Sequence, residues 1–157
     1  MNINIITLFP EIFEALNYGL LGQAINREDI KINIFNLRKH QINKHGQVDD
    51  KQYGGGQGMV LMAEPLEKSI KDIPADILGK VINLSPQGNL LNHDKSKELS
   101  SLESITIISG RYEGIDERFI SQYVDEEISI GDFVLSGGEF AALSLIDSLA
   151  RFIPGVI

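Results

Sequence analysis

The sequence predicts an α/β fold, a mostly parallel sheet flanked by helices, and three observations predict it. Apolar runs rich in Ile and Val are short, near 1–8, 30–34, 81–84 and 106–109, and amphipathic stretches separate them. Turn residues close those runs, as in Ser85-Pro86-Gln87-Gly88 and Ser109-Gly110. Strands that alternate with helices make a sheet covered on both faces, and such sheets take ligands in the crevice beyond the carboxyl ends of their strands.

Taken in order, Met1 to Leu8 reads as a strand, and Pro10 opens a helix over Glu11 to Ile25, since a first helical position has no need of the N–H that proline lacks. Ile30, Ile32 and Ile34 alternate with Lys31 and Asn33, the period of a half-buried strand. Residues 38–58 have no periodicity and end in the glycine cluster 53–58, so they read as a long loop. Pro65 to Ile73 reads as a short helix and Val81 to Leu84 as a buried strand, and Asn92 caps a helix reaching about Leu102. Thr106 to Ser109 is a further strand and Ile115 to Val124 a helix. The last helix spans about Glu139 to Ile153, with Ser144, Asp147, Ser148 and Arg151 as a narrow polar stripe. Its broad apolar face predicts burial in the core or against a second subunit.

At 157 residues with 43% hydrophobic content, the chain fits one soluble globular domain with a sizeable core. It has no Cys, which excludes disulfides, thiolate metal sites and cysteine nucleophiles and suits a reducing cytoplasm. The opening residues have no basic n-region and do not read as a signal peptide. Apolar runs fall far short of the ~20 residues of a membrane helix. The net charge is −8, and nearly all of it lies in 113–139, where eight acidic residues face Arg118 alone. That stretch repels phosphate. Residues 38–51 form a modest basic loop with Arg38, Lys39, Lys44 and Lys51.

The cluster Gly54-Gly55-Gly56-Gln57-Gly58 is followed by Met59-Val60. It is therefore neither a Walker loop, which ends in Gly-Lys-Ser/Thr, nor a dinucleotide fingerprint between a strand and a helix. His40, His45 and His93 lack metal-ligand spacing and read as solvent-exposed. Ser85, Ser109, Ser129 and Ser136 have no positioned His, so serine hydrolase chemistry has little support. In SGRYEGIDER, Gly110 turns the chain off a buried strand and presents Arg111, Tyr112 and Glu113 at its carboxyl end. A carboxylate there can accept the paired N1–H and N2–H of an extruded guanine. It can equally belong to a structural ion pair of Glu113 or Glu117 with Arg111 or Arg118. In EISIGDFVLSGGE, Gly131, Gly137 and Gly138 bracket a short apolar run. Its backbone can hold a flat base among Ile130, Phe133, Val134 and Leu135, or it can be a glycine-rich turn feeding the last helix.

Together these blocks closely resemble one family, the bacterial tRNA (guanine-N1)-methyltransferases of the knotted SPOUT superfamily. The matching stretches are LFPEIF, VDDKQYGGGQGMVL, EPL, LSPQG, GRYEGIDER and DEEISIGDFVLSGGE through to ARFIPGVI, from end to end of the chain. The resemblance implies an α/β domain whose carboxyl-terminal part forms a deep trefoil knot. It implies a cytoplasmic homodimer with active sites at the subunit interface, and a methyl transfer from S-adenosyl-L-methionine to N1 of guanosine 37, beside the anticodon of tRNA. The cofactor-binding positions it implies are Ser85, Pro86, Gly88, Gly110, Tyr112, Ile130, Gly131, Asp132, Phe133, Val134, Leu135, Gly137 and Gly138. It implies Glu113 as the guanine-edge carboxylate and Arg151 as the guanidinium facing guanine O6. Nothing in the sequence looks like a dedicated metal cage.

The sequence departs from the family at Gln52 and Gln57, where proline is usual, and ends at Ile157. The family's general-base aspartate and its tRNA-gripping helical domain lie beyond that point. Residues 1–157 are thus expected to be the cofactor-binding methyltransferase domain, inactive alone. The alternatives are a cofactor-binding or dimerisation module without turnover, and a sister knotted enzyme acting on another base. Glu113 speaks against the latter, since adenine N1 and uracil O4 have no proton to donate to it.

Overall fold

In the computed structural model of the chain, residues 1–52 and 54–157 are described. Tyr53, within the VDDKQYGGGQGMVL block, lies outside the described residues. Five strands, β1 (Asn2–Thr7), β2 (Lys31–Asn36), β5 (Lys80–Leu90), β6 (Ser104–Ile108) and β7 (Glu126–Ser129), form one sheet in the order β2-β1-β6-β5-β7. Every pairing in it is parallel. A separate antiparallel ribbon joins β3 (Asp49–Lys51) to β4 (Met59–Leu61).

Because side chains alternate across a strand, the sheet supplies two cores. Ile3, Ile5, Ile82, Leu84, Ile105 and Ile107 face one side. There they meet a 3₁₀ helix (Pro10–Asn17), α1 (Gly19–Asn26), α4 (His93–Ser100) and α6 (Glu139–Ala150). Ile6, Val81 and Ile108 face the other side, under α2 (Ala63–Asp72), α5 (Glu117–Tyr123) and the ribbon. A four-residue helix, α3 (Ala75–Leu78), precedes β5. In the middle of β1, Asn4 is wholly buried. Its Nδ2 donates to the carbonyl of Ile77 (2.7 Å) and to Thr106 Oγ1 (3.1 Å), while its Oδ1 accepts from Asn33 (3.0 Å).

Several expected boundaries shift. The helix over Glu11–Ile25 is two helices, broken at Tyr18, which is extended (φ −113°, ψ 160°). The long loop 38–58 begins inside a 3₁₀ turn (Leu37–His40), contains β3 and runs into β4, and these three-residue strands are too short to show a period. Helix α5 starts at Glu117, because Asp116 caps it by accepting from the Arg118 amide (2.9 Å). Helix α6 ends at Ala150, and its Ala142, Leu145, Ile146 and Leu149 are in the core while Phe140 is exposed. Strand β7 has no apolar run to mark it, because Glu126 and Glu127 make up its first half. His45 and His93 are exposed, but His40 is half-buried, with Nε2 2.5 Å from Asp72 Oδ2.

Candidate active site at the carboxyl ends of the sheet

Strand β5 does not stop at Leu84. It pairs with β7 up to Leu84, loses register, and resumes at Asn89, so Ser85–Gly88 is a loop bulged out of a continuing strand. This loop, the β6–α5 connection and the β7–α6 connection enclose a cleft of about 420 Å³ at the carboxyl ends of the strands, the place where parallel sheets take ligands.

Close backbone approach shapes the walls. Gly138 N donates to the carbonyl of Gly110 (2.7 Å), which joins the second wall to the third. A Cβ on Gly138 would lie 2.9 Å from Ser109 Cα, and one on Gly88 would lie 2.5 Å from the Glu127 carbonyl carbon, so neither place admits a side chain. Ser129 Oγ donates to the Gly131 carbonyl (2.9 Å) and holds the turn that follows β7.

Of the residues expected to bind a cofactor, the loop residues Ser85, Pro86, Gly110, Tyr112, Ile130, Gly131, Phe133, Val134, Leu135, Gly137 and Gly138 line this cleft. Gly88 lies behind it against β7, and Asp132 is exposed and does not line it. Glu113 lines the cleft, together with Glu117 and Glu127. Arg151 does not; it is exposed at the carboxyl end of α6. Tyr112 holds a left-handed backbone (φ 61°), a conformation costly for a side-chain-bearing residue and concentrated at functional sites.

The ion pairs differ from those weighed for SGRYEGIDER. Arg111 pairs with Glu139 (2.9 Å) and Arg118 with Asp116 (2.6 Å). The Arg118 guanidinium holds the Asp116 carboxyl below the usual carboxylate range. Glu113 instead takes its place from the backbone: its N–H donates to the carbonyl of Met59 (2.8 Å), and Leu61 N donates to the carbonyl of Gly114 (2.9 Å). The glycine loop before β4 is thereby carried to the cleft.

Two polar features of the site had no sequence signal, because their partners lie far apart in the chain. Asn83 Nδ2 donates to Glu127 Oε2 (2.7 Å), and Asn83 Oδ1, buried in the lining, has no hydrogen-bond partner among the described residues. Glu139, which the sequence marks as an acid at the start of the last helix, is wholly buried and accepts from both Thr7 and Arg111. Among the described residues no group of three His, Cys, Asp or Glu is placed to hold a metal, and no helix is long and apolar enough to cross a membrane.

Fold and site together define a class: a parallel α/β domain with a glycine-walled, acid-lined cleft at the carboxyl edge of its sheet. A family model described as tRNA (guanine-1)-methyltransferase TrmD matches residues 1–157, and the chain belongs to that family. A tRNA (guanine-N(1)-)-methyltransferase of Clostridium botulinum (strain Loch Maree / Type A3) is 49% identical over 157 residues, covering 100% of this chain and 65% of its own length. One from Francisella philomiragia is 50% identical over 161 residues, covering 100% and 63%. The crystal structure of a tRNA (m1G37) methyltransferase from Aquifex aeolicus superposes with a TM-score of 0.89 at 41% identity, over 100% of this chain and 72% of that one. The chain thus spans about 65% of the length of the curated relatives it matches.

Proposed function

We propose that residues 1–157 are the cofactor-binding and catalytic domain of an enzyme that transfers a methyl group from S-adenosyl-L-methionine to N1 of guanosine 37 in tRNA. The observation that carries this reading is the cleft itself, in a chain of this family. Gly110, Gly131, Gly137 and Gly138 line it beside Ile130, Phe133 and Leu135, and its lining includes Glu113, Glu117 and Glu127.

The residues present fit the cofactor. A flat adenine suits the glycine-rich third wall, and the orphaned Asn83 Oδ1 offers an acceptor to an N–H or O–H of the ligand. The acidic lining favours a cation. When bound, the cofactor supplies an electrophilic methyl group on a positively charged sulfur. Glu113, at the cleft, reads the guanine N1–H and N2–H edge as the base enters; once the base is seated it keeps N2–H, and N1–H passes to the general base. The N1 proton must leave before the nitrogen can attack; by the family resemblance the base is an aspartate beyond Ile157. Negative charge then builds on O6, and a guanidinium at Arg151 offsets it. Arg151 lies off its own cleft, which supports a homodimer in which a second copy completes each site.

The reading includes the trefoil knot, with residues 130–138 and α6 passed through a loop of the chain. The close backbone approach of Gly138 to the Gly110 turn is consistent with such a passage. A tRNA substrate places the reaction in the cytoplasm.

Calorimetric titration with S-adenosyl-L-methionine, with ATP and NAD as controls, tests the cofactor assignment; selective binding near one site per chain is expected. Methylation of tRNA transcripts by the protein at its full native length tests the reaction. Arg151→Ala is expected to lower the methylation rate at least tenfold with tRNA affinity nearly unchanged. Equal loss of both would make Arg151 a docking residue instead.

A further inference from the structure

We infer that Glu139 is a positioning residue that locks two walls of the cleft together through Arg111; for its catalytic consequence the inference rests on the methyl-transfer reading. Glu139 is 0% exposed and does not itself line the cleft. A buried carboxylate persists only where its oxygens are paired, and this one is paired to two distant segments. Oε1 accepts from Thr7 Oγ1 at the end of β1 (3.0 Å), and Oε2 accepts from Arg111 Nε in the β6–α5 connection (2.9 Å).

Arg111 extends the lock. Its Nη1 donates to the carbonyl of Ser136 (3.3 Å), its guanidinium lies 4.5 Å from the centre of the Phe9 ring, and its backbone bridges to Gly137. A Cβ on Gly137 would fall onto the Arg111 guanidinium and Glu139 Oε2, so the chain passes directly over the ion pair. The next residue is the left-handed Tyr112, and the one after is Glu113. Apolar side chains fill a buried helix start at least as stably as an ion pair does. What the pair adds is direction: it fixes the path of 110–114 relative to 135–138, and with it the places of Tyr112 and Glu113.

Glu139→Gln keeps the shape but turns either an amide N–H toward Arg111 or one toward Thr7. In the protein at its full native length, hydrogen exchange in 110–114 and 135–138 is expected to quicken at least tenfold while β1, β5 and β6 stay protected. Affinity for S-adenosyl-L-methionine is expected to fall at least fivefold. Arg111→Met is expected to match it, and the double variant to be no worse than either single change. Unchanged exchange in those two segments overturns the inference, and so do additive losses in the double variant. If Glu139→Gln melts as a whole, Thr7→Val is read at the same two segments, where faster exchange supports the lock and unchanged exchange overturns it. Should exchange respond as expected while the unaltered protein binds no S-adenosyl-L-methionine, the methyl-transfer reading falls and the lock stands.

Discussion

Glu113 is held in position by what its neighbours lack. Its amide is fixed to Met59 (2.8 Å), and Gly58, at φ +97°, leaves the space that the Glu113 side chain occupies; a Cβ there would overlap Glu113 Cγ. Gly58→Ala therefore costs about 1–2 kcal/mol in backbone conformation and displaces the carboxylate. Glu113→Ala removes the carboxylate outright. A hydrogen bond to a charged group contributes about 1.5–3 kcal/mol, so both variants are expected to slow guanine methylation by roughly 10- to 100-fold. Cofactor affinity, measured by calorimetry on the same preparations, should stay within about twofold; an equal collapse would make Glu113 a structural residue. The glycine cluster was legible in the sequence as the end of a long loop. Its role beside Glu113 was not, because 55 positions separate Gly58 from its neighbour, and only the pairing of β4 with 113–116 brings them together.

At the scale of elements, β7 shows how charge can conceal a strand. Glu126 forms ion pairs with Lys80 of β5 (2.6 Å) and Lys95 of α4 (3.0 Å), and Glu127 turns to Asn83. Two acids in a four-residue strand contradict the apolar pattern expected of a parallel sheet, and their partners lie 31 to 46 residues away. Strands β1 and β6 were readable because their runs are apolar, and α4 because Asn92 caps it by accepting from Lys95 N (2.8 Å). Burial pushes the Glu126 carboxyl up, but the ion pairs with Lys80 and Lys95 outweigh it and hold the group below its ordinary 4.5. A depressed folded-state value stabilises the fold fully above 4.5 and is lost as the pH falls through the folded value. Glu126→Gln is thus expected to cost about 1–2 kcal/mol near neutrality for this partly buried cluster. Denaturant titrations of both proteins should converge as the pH falls through the folded value, below 4.5; a gap that persisted after the carboxyl is fully protonated would mean the loss is one of packing.

For the whole molecule, the cleft joins three connections that are far apart in sequence, so a ligand filling it ties the second half of the sheet together. A cofactor at about 100 times its dissociation constant adds about 2.7 kcal/mol. At this chain length that is expected to raise the melting temperature by about 5–11 °C with S-adenosyl-L-methionine, and ATP should leave it unchanged. The α/β class and the three loops could be read from the sequence, since glycine and proline mark where strands end. The order of the strands could not, because β1 sits between β2 and β6, whose partner residues begin at Lys31 and Ser104. That order gives the buried Asn4 a further consequence during synthesis. The roughly 70 residues from Asn36 to Ile108 take about 4–14 s to emerge, and for that interval one edge of β1 has no neighbour. An amide in the middle of NINIIT interrupts a run otherwise prone to pair with other nascent chains. Once β6 arrives, a slip of one residue would turn Thr106 to the other face and set Ile105 or Ile107 opposite that amide, leaving it without its hydroxyl partner. Asn4 therefore acts as a proofreading position, tolerating the correct strand alignment and penalising its nearest errors.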